Sequence, residues 1–163
     1  MFSDRFEYLY VEPSTFCNLR CPRCPRTYDQ EAYTVTNLDL ESYANFLRSP
    51  SWKSIQTIEY GGNYGDPMLH PELDQLIQSA RSIHPNVSQI IHTNGSQSQS
   101  RWERILLSMT AQDLVLFSVD GLKDTNHIYR VGSKWDLIQR AMKACVPRAV
   151  SYTHLTLPTK RIV

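Results

Sequence analysis

Phe16-Cys17-Asn18-Leu19-Arg20-Cys21-Pro22-Arg23-Cys24 is the stretch on which the chain turns. It holds three of the four cysteines, spaced C-x3-C-x2-C, and follows Tyr8-Leu9-Tyr10-Val11, an apolar run of strand length and composition. Three thiols in one short loop form a metal-site pattern, because short spacers let sulfurs converge on one soft centre. Thiolates suit zinc or an iron–sulfur cluster. Disulfides pair cysteines in even numbers, and the fourth, Cys145, lies far along the chain. A closed structural zinc takes four ligands and an electron-transfer cluster four cysteines, so three leave a position open for chemistry. Zinc on the three cysteines plus a histidine, His92 or His127, is the alternative. Arg20, Pro22, Arg23 and Pro25 make the loop polar and irregular, unlike a packing motif.

Working outward, Asn37 is expected to cap a helix over Leu38–Leu47, with Leu40, Tyr43, Ala44 and Leu47 on one face and Pro50 as its stop. A second strand runs from Ile55 to Tyr60 and ends in Gly61-Gly62. A helix striped by Leu73, Leu76, Ile77 and Ala80 follows Pro71. A third strand, Val87–Ile91, leads into His92-Thr93-Asn94-Gly95, and a third helix is striped by Trp102, Ile105, Leu106 and Met109. A fourth strand, Leu114–Phe117, ends at Ser118-Val119-Asp120-Gly121, before a helix striped by Trp135, Ile138 and Met142. Strand, loop, helix, four times over, predicts parallel β/α units. The strands read as near-continuous apolar runs and predict a sheet covered on both faces. Cysteines, paired glycines, Thr-Asn-Gly and Ser-Val-Asp-Gly all follow strand C-termini, the edge that carries the active site in β/α barrels.

At 163 residues and a formal net charge of +1, the chain is at most one ordinary domain, and no bulk charge points to nucleic acid or membrane. Met1-Phe2-Ser3-Asp4-Arg5 has no secretory pattern, and clustered cysteines without one predict a reducing cytoplasm.

The cysteine spacing resembles the signature of the radical S-adenosylmethionine (radical SAM) superfamily, and the resemblance runs from about residue 6 to 149. It implies an α/β fold, a partial TIM-like (β/α) barrel of which these would be the first four of six units. Cys17, Cys21 and Cys24 would hold a [4Fe-4S] cluster whose open iron chelates S-adenosylmethionine. The cluster would pass an electron into the sulfonium, giving methionine and a 5′-deoxyadenosyl radical that takes hydrogen from a substrate. A reductant such as flavodoxin or ferredoxin is implied. Gly61-Gly62-Asn63-Tyr64-Gly65-Asp66-Pro67 resembles the family's second-strand motif, which receives the methionine amino group; here the loop is one residue longer and Asp66 stands for glutamate. Thr93-Asn94-Gly95 resembles the third-strand motif and Ser118-Val119-Asp120-Gly121 the fourth. Arg130, in His127-Ile128-Tyr129-Arg130, matches an arginine that pairs with the cofactor carboxylate. The implied cofactor frame is therefore Gly61, Gly62, Asp66, Asn94, Ser118, Asp120 and Arg130. Arg23 replaces the family's common aromatic near the adenine, leaving an arginine plane or another aromatic such as Tyr28. His127 reads as structural and Cys145 as a buried apolar residue. The Cys-Pro-Arg-Cys-Pro context and the Tyr-Arg segment look closest to SPASM or Twitch-type members, and a peptide or protein substrate is the expectation by analogy.

Val150-Ser151-Tyr152-Thr153-His154-Leu155-Thr156-Leu157-Pro158-Thr159 resembles one reading frame of a transposon-derived sequencing adapter. On that reading residues 1–149 are a truncated core domain and 150–163 a non-native tail. The fourth strand or its helix is then expected to lack neighbours, leaving an edge uncovered, and the fragment to be poorly stable or to aggregate, with little turnover.

Overall fold

The computed structural model describes residues 5–29, 31 and 34–146, and the backbone of 150–155. The elements are β1 (Tyr8–Val11), α1 (Pro25–Tyr28), α2 (Leu40–Leu47), β2 (Thr57–Tyr60), α3 (Leu73–Ile83), β3 (Ser88–Thr93), α4 (Gln99–Ser108), β4 (Leu114–Val119), α5 (Asn126–Tyr129), α6 (Trp135–Cys145) and β5 (Val150–Leu155), with single 3-10 turns at Pro50–Trp52 and Pro67–Leu69. The strands form one parallel sheet in the order β1-β2-β3-β4-β5, each neighbour in space also the next in sequence. A sheet wound in one direction lays its crossover helices on one side, the arrangement of a barrel wall.

Burial alternates strictly along β2, β3 and β4. Ile58, Tyr60, Ile91, Val115 and Phe117 point under the helices, where they meet Leu47, Leu73, Leu76, Ile77, Trp102, Ile105 and Ile138 in one core. Each such aliphatic side chain contributes about 1.5–3 kcal/mol by leaving water. The apolar stripes read from α3 and α4 lie where their spacing placed them, and Cys145 is fully buried as expected. Beneath the sheet a polar line is satisfied internally: Tyr43 and Tyr60 hydroxyls meet at 3.0 Å, Tyr60 donates to Gln89 Oε1 at 2.7 Å, and Gln89 Nε2 donates to the Ile77 carbonyl at 3.2 Å.

Three expectations are corrected here. The sheet is covered on one face only; Tyr10, Glu59, His92 and Ser118 share the opposite, helix-free face, because sequential winding puts every helix on the same side. The cap of α2 is Asp39, whose carboxylate accepts the Ser42 N–H at 2.8 Å; Asn37 instead accepts the Ser14 hydroxyl at 2.7 Å. The β4 edge is covered: Val150–Leu155 pairs with Leu114–Val119 along its whole length. Its Val-Ser-Tyr-Thr-His-Leu composition suits a strand. Among the described residues no helix is long and apolar enough to cross a membrane.

Candidate active site

The loops after β1, β2 and β3 are tied to one another by hydrogen bonds. Asn18 Nδ2 donates to the Ser96 carbonyl at 3.1 Å, while its Oδ1 accepts from Asn94 Nδ2 at 3.0 Å and Gln97 Nε2 at 3.1 Å. The Asp66 N–H donates to the Phe16 carbonyl at 2.7 Å. Gly65 is seated so tightly that a Cβ there would lie 2.1 Å from the Ser14 carbonyl oxygen and 2.7 Å from that of Phe16. Gly95, at φ +73°, turns the β3 loop in the left-handed region that glycine adopts without penalty. Glu12 fastens the longer glycine loop from below: its carboxylate accepts the Asn63 N–H at 3.0 Å, the Tyr64 N–H at 3.2 Å and the Tyr10 hydroxyl at 2.9 Å.

These ties enclose a cleft of about 390 Å³ at the C-terminal ends of the strands. Cys17, Cys21 and Cys24 line it, together with Gly62, Asp66, Asn94, Ser118 and Arg130. Eight of the ten residues named from the sequence are thus brought to one place. The other two stand behind the wall. Gly61 packs on the Tyr10 ring, where a Cβ would lie 1.9 Å from the hydroxyl oxygen. Asp120 pairs with the Arg130 guanidinium, so it supports that side chain from outside the cleft.

Asp66 lines the cleft with a carboxylate already committed. It accepts the N–H groups of Met68 at 2.9 Å and Asn94 at 2.8 Å, and the Thr93 hydroxyl. Burial raises its pKa, and those donors oppose the rise. Its role in this geometry is to join the β2 loop to the end of β3.

All four cysteines are free. Burial pushes the Cys17 and Cys21 thiols above their ordinary value, while the Leu19 amide and Arg26 oppose it at Cys17 and Arg130 opposes it at Cys21. Asn94 Nδ2 lies 4.0 Å from Cys17 Sγ. Three thiols on one wall, with two guanidiniums to offset their charge as thiolates, fit a soft metal centre. Among the described residues no three His, Cys, Asp or Glu side chains already surround a common metal position; each cysteine turns on a single χ1 rotor.

Among the described residues, neither His92 nor His127 stands with the cysteines around a common metal position. His92 lines the cleft, but its Nε2 stands 2.7 Å from Glu59 Oε1, and His127 is exposed on α5 away from the cleft. Tyr28 is 68% exposed and, like Arg23, is not on the cleft wall. The aromatic near Cys21 and Cys24 is Tyr129, with the Arg130 guanidinium 5.8 Å from its ring centre. Tyr10, Glu59, Arg26 and Tyr129 were not singled out from sequence as site residues. Strand parity was the available signal for Glu59 and His92: both are polar residues inside apolar strands, on the same side as Ser118.

Comparison with known proteins settles the family. The model of the radical SAM superfamily matches residues 11–160. The chain belongs to the radical SAM superfamily. Members of the radical SAM superfamily are enzymes that use a [4Fe-4S] cluster and S-adenosylmethionine. The chain is 28% identical over 128 residues to the tungsten-containing aldehyde ferredoxin oxidoreductase cofactor-modifying protein of Pyrococcus furiosus, covering 77% of this chain and 34% of that protein. It is 27% identical over 128 residues to the GTP 3′,8-cyclase of Chlorobaculum tepidum, covering 75% and 34%. The chain therefore spans about a third of the length of these curated relatives. Among solved radical SAM folds, Streptococcus suis SuiB bound to S-adenosylmethionine superposes with a TM-score of 0.72 at 17% identity, over 93% of this chain and 34% of that one; SuiB has also been solved with its precursor peptide SuiA.

Proposed function

We propose that Cys17, Cys21 and Cys24 hold the [4Fe-4S] cluster and that Gly62, Asn94, Ser118 and Arg130 frame S-adenosylmethionine beside it. The observation that carries this reading is convergence: one cysteine loop and three other strand ends wall a single cleft. When bound, the reduced cluster supplies the electron that splits S-adenosylmethionine into methionine and a 5′-deoxyadenosyl radical. The chain's own share is placement and exclusion of water. Arg130, held by Asp120, offers a guanidinium edge to a carboxylate. Ser118 and the Asn94 amide offer hydroxyl and amide groups at the ends of β4 and β3. Asp66 and Asp120 act one step back, as positioning residues. A reductant such as flavodoxin or ferredoxin, a cytoplasmic setting and SPASM or Twitch-type kinship complete the proposal. A peptide or protein substrate is preferred, and the fold likeness to SuiB supports it. We also propose that residues 150–163 derive from an adapter read in frame; resequencing the source DNA from a library of unrelated chemistry and recovering the same codons would overturn this.

Anaerobic reconstitution with iron and sulfide is the test, followed by iron counting, a visible spectrum and reductive cleavage of S-adenosylmethionine, beside a Cys17/Cys21/Cys24→Ala control. Brown protein with about four irons, releasing 5′-deoxyadenosine only when the cysteines are intact, is the expected result. Colourless protein that retains zinc would sink the reading.

A further inference from the structure

The helix-free face of the sheet is apolar at Ile90, Leu114 and Leu116, which occupy the same alternating positions as Glu59, His92 and Ser118. In register, Glu59 lies beside Tyr10 on one side and Ile90 on the other, and His92 lies beside Leu116. A carboxylate and an imidazole therefore stand together on the floor of the cleft, among aliphatic neighbours. Packing does not require them there, since a pair of apolar side chains would fill a sheet face at no cost in desolvation. Two features of the pair point into the cleft. The His92 side chain is 34% exposed and that of Glu59 16%, so Glu59 lies behind the ring. His92 Nε2 is buried and approaches Glu59 Oε1 to 2.7 Å, with the carboxylate off the N–H axis, while Nδ1 has no hydrogen-bond partner among the described residues. A close but unaligned contact in a ligand-free site tightens when a ligand fixes the second atom. Tyr10, the other polar group at this level, is already committed: its hydroxyl donates to Glu12, accepts from Asn63 Nδ2 at 2.8 Å, and is held protonated with a pKa pushed up to about 12.

We infer that Glu59 and His92 form the substrate-reading element of the cleft, with Glu59 accepting a hydrogen bond from His92 Nε2–H and His92 Nδ1 accepting one from a hydroxyl group on the substrate. This rests on the proposed function above and adds the substrate's chemical class. A hydroxyl fits better than an ammonium group, because the Glu59 carboxylate is shielded by the ring, that of Asp66 is committed to Met68, Thr93 and Asn94, and Arg26 and Arg130 already put positive charge on the wall. Orienting an imidazole through one nitrogen so that the other is presented as an acceptor is how a carboxylate fixes a tautomer. His92 touches the substrate in this arrangement, and Glu59 acts through it.

The test uses the full chain, reconstituted anaerobically with iron and sulfide and then supplied with S-adenosylmethionine and dithionite. The probes are matched pairs that differ by one hydroxyl: seryl against alanyl tripeptides, and ribosides against their 2′-deoxy counterparts. Hydroxyl-bearing members are expected to raise release of 5′-deoxyadenosine, and their partners not. His92→Leu is expected to raise KM for the active probe about tenfold, the worth of one hydrogen bond, and His92→Asn, whose amide oxygen replaces Nδ1, to restore it. Equal stimulation by both members of each pair, stimulation by none, or a KM unmoved in His92→Leu overturns the inference. A second readout is independent of turnover: nitrogen NMR of histidine-labelled protein, with His92 assigned by its loss in His92→Asn. The Nε2–H tautomer is expected, and the Nδ1–H tautomer overturns the pairing. A chain that releases no 5′-deoxyadenosine even without a probe fails the proposed function instead, and the tautomer alone then decides the pairing.

Discussion

The two faces of this sheet are made from alternate residues of the same strands and do opposite work. On the covered face, Ile58, Tyr60, Ile91 and Phe117 are at most 1% exposed and their polar atoms are paired internally. On the bare face, Tyr10, Glu59, His92 and Ser118 keep polar groups toward the cleft. Apolar burial is concentrated on one side of a strand and polar groups facing the cleft on the other, one residue apart. Substitutions on the two faces should therefore separate folding from binding.

The strongest way to break that separation is at the buried charge under the sheet. Asp113 accepts two bonds from Arg81 Nη2 and the N–H groups of Gln89 and Thr110. Asp113→Ala strands the guanidinium and is expected to cost about 3–5 kcal/mol in denaturant unfolding. Leu76→Ala, in the packed stripe of α3, should cost about 2–5 kcal/mol in the same assay. A subtler probe is pH. His70 is buried, its Nε2–H donates to the Leu38 carbonyl at 2.7 Å, and its Nδ1 accepts the Glu72 N–H at 3.0 Å. The second of these bonds needs a ring unprotonated at Nδ1, and burial holds its pKa below 6.5. The folded value is depressed, so the stability His70 contributes is present above pH 6.5 and is lost as pH falls through the lowered value. Thermal melts should fall more steeply below pH 6.5 for the native chain than for His70→Gln; parallel curves would refute this. The smallest effect on folding is expected on the bare face. Ser118→Ala should move stability by no more than about 0.5 kcal/mol while weakening S-adenosylhomocysteine binding to the reconstituted protein, measured by calorimetry. A large loss of stability there would erase the contrast between the faces.

Much of this was legible in the sequence. Loops that follow apolar runs fixed the strand ends, and eight of ten named site residues reached the cleft because β/α winding sends every strand C-terminus to one edge. Gly61 and Asp120 lie outside the cleft lining because a motif gives an order of residues and not which side of a turn each faces. The bare face was misread because Tyr10, Glu59 and His92 interrupt apolar strands too briefly to break their hydrophobic pattern. Parity along β2 and β3 carried that information, but only once the registers with their neighbours were known. Asp39 displaced Asn37 as a cap because Asn37 is drawn away by Ser14, a contact between residues 23 apart in the chain.

The rim of the cleft has little regular secondary structure, yet Asn18, Asp66 and Asn94 knit its loops together through side chains. Amide exchange should report this directly. The N–H groups of Asp66, Asn94 and Ser96 end on acceptors within the rim, so they should exchange with solvent deuterium on the timescale of the strands rather than of loops. A collar that is slow to open before anything binds has little ordering entropy left to lose when a ligand arrives.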